Sequence, residues 1–335
     1  MRSVLFFITS IYLTIKKYQL IIMLNKKNLL RALLVIPTLF SKFSAQTPSD
    51  AIMMNAEQAC ILFEYNYGSF NQYWEGTLLR ENQTIATVKR STFMPMLAIG
   101  ILDKLNFFIG VPYIKTESSD PNGGKFAGAN DFQDLSVALK YQIVNKVKDS
   151  SNLSVLATVG FSTPITNYLP DYMPYSLGLG APELSYRGIA QYKWKNGIYL
   201  RGSAAYLWRG YAKAERAYYY NNGSYYTPWM DVPNALAFEG VLGIWAFKNA
   251  LQFELSYMSS NSTSGDDIRS YNAPQPTNNI DMDKLGVFAH IYIPSIKGLG
   301  VVAYHNQVVN GRNAAKISTT GVGLTYYFNY RNKQN

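Results

Sequence analysis

Three kinds of residue are scarce in this 335-residue chain: it has one cysteine and two histidines, and only 16% of its positions are charged. A lone cysteine, Cys60, excludes an internal disulfide framework and lacks the spacing of a thiolate metal site. No lipoprotein-type cleavage signal precedes it, so it reads as an ordinary strand residue. Charge falls well short of the roughly 25% usual in soluble domains, which suits a surface that meets water only in part. Beyond residue 45 no apolar run approaches the ~20 residues that cross a bilayer as a helix. No phosphate loop, metal-ligand cluster or cofactor fingerprint appears, so neither cofactor nor metal is implied.

The positive charge is also less than it looks. The formal net charge is +10, but residues 1–45 hold seven basic residues (Arg2, Lys16, Lys17, Lys26, Lys27, Arg31, Lys42) and no acid. Setting them aside leaves 24 basic residues against 21 acidic, a net of +3, and removes the electrostatic case for nucleic acid. That region reads as an address. From Met23, MLNKKNLLRALLVIPTLFSKFSAQ has a basic start, an apolar core over 29–40 and the small Ala45 before Gln46, the pattern of a secretory signal peptide. Residues 23–45 are therefore assigned as a leader and 46–57 as a periplasmic N-terminal segment. Residues 1–22, interrupted by Lys16 and Lys17, are assigned as an upstream extension from a start codon placed too early.

What the chain has in quantity is alternation. In DFQDLSVALKYQ, residues 131–142, Leu135, Val137, Leu139 and Tyr141 make one apolar row with the more polar Gln133, while Asp134, Ser136, Lys140 and Gln142 lie between them. That is a strand with one greasy and one wet face. Such segments recur near 58–67, 87–102, 105–116, 132–144, 152–163, 182–194, 197–210, 234–247, 249–260, 284–295, 298–309 and 316–329. Most are far longer than the five or six residues usual in soluble proteins and reach the ~9–11 that a tilted strand needs to cross a bilayer.

The connections are sorted as well. Those at 102–106, 193–197, 247–250 and 294–300 are short; those at 68–86, 117–131, 164–181, 211–233 and 261–283 are long, with NGRNAA at 310–315 the one brief member of the long set. Transmembrane barrels pair short periplasmic turns with long external loops on an even number of strands. An open sheet edge in lipid would leave backbone groups unpaired, so the strands must close. The predicted fold is therefore all-β: a closed antiparallel transmembrane β-barrel of 12 strands over 58–330, with a polar tail at 331–335. Aromatic residues, 15% of the chain, recur near strand ends (Trp194, Trp208, Trp245, Tyr113, Tyr141, Tyr206, Tyr257, Tyr326, Phe328), as interfacial belts require.

One stretch carries a family resemblance. GILDKLNFFIGVPY at 100–113, followed by PNGGKFAGANDFQDLSVALKYQ at 121–142, resembles the phenol meta-pathway type of outer-membrane barrel transporters. Their members carry an "itdrLnl…lPy" phrase and then, after a glycine-rich loop, "GDlslglKY". The resemblance implies a solute-transporting barrel in the outer membrane of a Gram-negative bacterium. It covers some 45 residues of the chain and names no solute.

If the apolar face meets lipid, the polar face lines a lumen. The inward candidates are Glu64, Asp134, Lys140, Glu183, Arg187, Arg201, Arg209, Glu239, Glu254 and His290, with Gln191 and Lys193 beside them. Such charges either pair across the ladder and stabilise a packed interior or set the selectivity of a pore. On the second view Arg187, Arg201 and Arg209 form a basic stripe facing acids elsewhere. Twelve strands enclose more space than eight and less than the sixteen of open porins, so a narrow or partly plugged channel is expected.

Two external loops, YLPDYMPYSLGLGAPE (168–183) and AYYYNNGSYYTPWMD (217–231), concentrate aromatics. Tyr168, Tyr172, Tyr175, Tyr219, Tyr225 and Trp229 are candidates either to bind an apolar or sugar-like solute or to pack on one another across the barrel mouth; YWEG at 73–76 is a candidate to join them. Asp266, Asp267, Asp281 and Asp283 lack the spacing of a calcium loop. His290 and His305 have no GxSxG elbow to serve, so the chain does not read as an enzyme. The expected function is passive or facilitated diffusion of small solutes, hydrophobic or aromatic ones among them. A structural or adhesive barrel acting through its loops is the alternative, and a barrel phospholipase is a weaker third. The implied partners are outer-membrane lipid, a small-molecule solute and, during biogenesis, the barrel-assembly machinery.

Overall fold

The computed structural model describes residues 47–269 and 273–331. The leader, the upstream stretch and residues 332–335 of the polar tail lie outside the described residues. The wall is built from β1 (Gln58–Phe70), β2 (Val88–Leu102), β3 (Leu105–Gly110, continuing as Tyr113–Asn122) and β4 (Phe126–Phe132, continuing as Asp134–Lys148). It goes on through β5 (Ser151–Pro164), β6 (Glu183–Lys193), β7 (Ile198–Arg209) and β8 (Ala235–Ala246). β9 (Leu251–Ser262), β10 (Asp281–Tyr292), β11 (Leu299–Arg312) and β12 (Ser318–Asn329) complete it. Each strand pairs antiparallel with the next, and β1 pairs with both β12 and β2, so no edge remains. The twelve expected strands close as lipid requires.

Strand parity decides what meets lipid. Phe63, Leu139, Tyr141, Phe238, Leu242, Leu255, Tyr257, Leu324 and Tyr326 stand on the outer face and are among the exposed large hydrophobics. In water so broad an apolar belt would drive aggregation; in a bilayer it is the solvation shell. Trp245 departs from the expected belt: it shares the inward row of β8 and stacks near Tyr292, 6.3 Å between ring centroids, with the Lys193 ammonium 5.4 Å from its ring.

Two features depart from the sequence reading. The segment at 117–131 is not a long loop. Tyr113–Asn122 and Phe126–Phe132 pair as a continuation of β3 and β4, leaving only a turn around Gly123 and Gly124. The wall is also interrupted where two prolines meet. Pro95 in β2 and Pro112, in the gap between the two parts of β3, cannot donate to the ladder, and β2 pairs with those two parts on either side of this point.

Candidate channel lumen

All ten charged or imidazole candidates stand on the inward rows of their strands, but they fall into two zones with different chemistry. At the loop end is a cavity of about 970 Å³, lined by Phe70, Arg90, Asp134, Tyr175, Glu183 and Arg209 among others. Glu183 and Arg209 are ladder partners on β6 and β7, with Nε to Oε2 at 2.8 Å. Arg209 also donates to the Pro233 carbonyl at 3.1 Å. Arg90, missed in the sequence reading, donates to the carbonyls of Ser176 and Leu177 at 3.2 and 2.6 Å and so holds the 165–182 loop over the cavity.

The aromatic loop candidates do not form one cluster. Tyr168 donates to Asp134 Oδ1 at 2.7 Å and accepts from the Gly180 amide. Burial, with the Asp134 charge beside it, pushes its hydroxyl pKa well above the usual tyrosine range. Tyr175 is buried on the cavity wall, edge-on to Phe126 at 4.9 Å, with its hydroxyl 2.7 Å from Ser118 Oγ. Tyr172 also meets Phe126 edge-on but is exposed.

Tyr219, Tyr225 and Trp229 belong to a separate outer hairpin, Tyr211–Lys213 paired with Trp229–Asp231. There Tyr219 stacks on Tyr225 at 5.1 Å, and Trp229 lies exposed with Lys213 5.8 Å from its ring. Ala181 of one loop packs with Ala212, Ala214, Met230 and Val232 of the other, and Arg216 pairs with Asp171 at 2.8 Å. The two aromatic loops therefore do pack on one another. Of YWEG, Tyr73 lines the cavity and Trp74 is buried against Val308 and Ala314. The four aspartates are dispersed: Asp266 pairs with Arg269, Asp267 with Arg312, Asp283 accepts from Asn310 and Asp281 from the Ser262 amide.

The opposite end of the lumen, where the short turns lie, is filled. Glu254 is gripped by Arg201 with two parallel bonds, 2.7 and 3.0 Å, and accepts further from Tyr199 at 2.5 Å and Gln252 at 2.8 Å. Tyr199 can lie flat across the wall because Gly243 carries no side chain; a Cβ there would strike the ring. His290 is buried against Tyr292 and shares a hydrogen bond with Thr325 Oγ1 at 3.0 Å. His305, by contrast, stands on the exposed outward row of β11, with Nδ1 2.9 Å from Thr320 Oγ1. Glu64 accepts from Tyr304 at 2.5 Å and Asn66 at 3.1 Å.

The largest surprise is residues 47–56. The sequence reading put this segment on the periplasmic side without assigning it contacts; the structure turns it into the barrel mouth. Lys140, with no exposed side-chain surface, donates to Asp50 Oδ1 at 2.8 Å and to the carbonyls of Thr47 and Asp50 at 2.8 and 3.3 Å. Thr158 on β5 donates to the Pro48 carbonyl at 2.9 Å. Met54 is buried against Cys60, Ala98, Phe108 and Ala138. Gly100 on β2 is required here, since a Cβ would strike the Asn55 carbonyl.

The basic stripe expected from Arg187, Arg201 and Arg209 is thus largely neutralised, because Arg201 and Arg209 have their own acids. Arg187 donates to Ser203 Oγ at 2.9 Å, and Glu239 keeps one buried carboxylate oxygen without a hydrogen-bond partner. Lys284, on the inward row of β10, stands one strand beyond Met258, itself the ladder partner of Glu239. Among the described residues Arg187, Glu239 and Lys284 form no ion pair. Lys284 was overlooked although it alternates in step with Gly286 and His290.

No protein-family model matches the chain, and no curated protein matches it. Among solved structures it is similar to the COG4313 outer membrane channel from Pseudomonas putida F1, with TM-score 0.67 at 10% identity over 85% of this chain and 100% of that one. Looser likenesses are to the translocator domain of the autotransporter NalP from Neisseria meningitidis (TM-score 0.43, 12% identity, 81% and 88% covered) and to the NanC porin (0.43, 8%, 79% and 98%). At such identity the likeness to the Pseudomonas putida channel shows the fold alone: this chain is a closed twelve-stranded antiparallel β-barrel.

Proposed function

We propose that the chain is a channel of the Gram-negative outer membrane that collects small solutes in an external cup and passes them to the periplasm when its N-terminal segment yields. The observation that carries this reading is the 970 Å³ cavity at the loop end, ending on a plugged rather than a continuous wall. Its lining combines apolar surface from Phe70, Ile85, Leu177 and Ile317 with ion pairs already satisfied by protein. Such a pocket suits amphiphilic solutes better than bare ions. The resemblance of 100–142 to phenol meta-pathway transporters favours aromatic solutes within that class.

The test is single-channel recording of the refolded chain from Gln46 in a planar bilayer. The expected result is a gated conductance whose ion preference moves toward cations in Arg187→Glu and Lys284→Glu. Persistent silence from protein shown folded by heat-shifted gel mobility, also after the segment is expelled, would overturn the proposal. The adhesive reading has one observation in its favour, the exposed Tyr225, Tyr226 and Trp229 on the outer hairpin. It predicts surface binding that survives a blocked lumen.

A further inference from the structure

We infer that the wall around Lys140 is a binding site for small carboxylates with an apolar body, and that Asp50 occupies it as a tethered ligand which such a solute displaces. This rests on the channel reading above and adds the solute class and the opening step. Every hydrogen-bond acceptor that the described structure offers the Lys140 ammonium comes from the segment: Asp50 Oδ1, Asp50 O and Thr47 O. The wall contributes the face of Phe108, 4.9 Å from the ammonium, which attracts a cation but does not neutralise it. Glu254 cannot substitute, since Arg201 holds both its oxygens. A buried ammonium stripped of its acid is costly. When the segment leaves, the site therefore requires another anion or flooding by water.

The form of the tethered ligand indicates what else would fit. Asp50 presents its carboxylate from a tight turn, its oxygens also taken by the Thr47 backbone amide and hydroxyl and by the Ile52 amide. Beside it, Ala51 and Met53 cover Leu156 and Ile189 of β5 and β6. The wall thus offers one cation next to an apolar patch. Arg201 adds a buried Nε with no hydrogen-bond partner and lies within electrostatic range of Asp50. A carboxylate on an aromatic or branched body meets both demands; a neutral isostere meets only one, and chloride only the other.

The probe is benzoate, with benzyl alcohol as its uncharged counterpart, added to bilayer recordings at constant ionic strength. The proteins are the refolded chain from Gln46, Asp50→Asn, Gly100→Val and Lys140→Met. Benzoate is expected to raise the open probability of the parent chain several-fold while benzyl alcohol does not. Asp50→Asn, which leaves the wall untouched, and Gly100→Val, which denies the segment its seat, are expected to open without benzoate. By competition, both are expected to bind benzoate more tightly than the parent in calorimetry, and Lys140→Met is expected to lose binding. If Gly100→Val conducts freely while the parent ignores benzoate, or if Asp50→Asn binds it no better, this inference fails and the channel stands. If folded Gly100→Val is silent, the channel reading fails and this inference falls with it. Should Lys140→Met not fold, the Asp50→Asn comparison alone decides.

Discussion

The outer and inner halves of the lumen are made by the same twelve strands with the same alternation, yet one is a cup and the other is closed. In the cup the ions sit near solvent: Glu183 keeps 26% of its side-chain surface exposed and Arg209 keeps 14%. In the inner half Arg201 and Glu254 keep 5% and 9%, and Lys140 keeps none. The difference lies in what neutralises each charge. Cup charges are served by a ladder neighbour and by loop carbonyls, whereas Lys140 depends on ten residues that are not part of the wall. A barrel of this size leaves a gap that side chains alone do not fill, and here the chain's own N-terminal segment takes up part of it.

The sharpest way to break this comparison is at Arg201 and Glu254. Glu254→Leu leaves a buried guanidinium without its acid and is expected to lower stability by about 3–5 kcal/mol, whereas the double change with Arg201→Met recovers most of the loss. Urea unfolding in detergent measures both; equal losses would mean that the inner half is hydrated like the cup.

The lipid face comes next. Val137→Arg is expected to cost about 2–4 kcal/mol near the bilayer centre, read as a lower yield of heat-shifted barrel. Sequence alone ranks that change above Lys140→Glu, since one residue meets lipid and the other a wet lumen. The structure closes the gap, because Lys140→Glu sets a carboxylate against Asp50 in a site without exposure. The two are therefore expected to impair assembly comparably, and a harmless Lys140→Glu would show the segment to be absent in the membrane.

In the cup, Glu183→Gln is expected to cost below about 1 kcal/mol, as partly exposed pairs do, while moving ion selectivity toward anions in bilayer recordings. The smallest effect is in the loops. The Arg312 guanidinium, hydrogen-bonded to Asp267, holds that carboxyl below its usual range. A depressed carboxyl stabilises the folded loop above its unfolded value, near 3.9, and the contribution fades as pH falls through the lower folded value. Protease protection of the loop around Asp267 is therefore expected to be flat from pH 7 to 5 and to drop only below about pH 4. Arg312→Gln is expected to lower the protection at neutral pH and to flatten that drop, because the folded carboxyl then titrates nearer its unfolded value.

Much of this was legible beforehand because lipid is an exacting solvent. Strand parity assigned Leu139 outward and Lys140 inward from period-two alternation alone. Long and short connections told one barrel end from the other. Pairing partners were not legible: nothing in the spacing of Arg201 and Glu254 says that they meet across β8. Nor did aromatic richness in 168–183 and 217–231 say that Tyr175 would turn to the cavity wall and Trp229 away from it. Asp50 carried no signal, since it precedes the first alternating strand and resembles any turn residue.

The sequence by itself determined the barrel, its twelve strands and which face meets lipid, because those follow from local alternation and from the need to satisfy every backbone group in hydrocarbon. Only the tertiary structure decided that the lumen is a cup closed by the chain's own N-terminal segment. That outcome depends on which distant charges come within 3 Å of one another and on a glycine, Gly100, whose missing side chain leaves room for the Asn55 carbonyl.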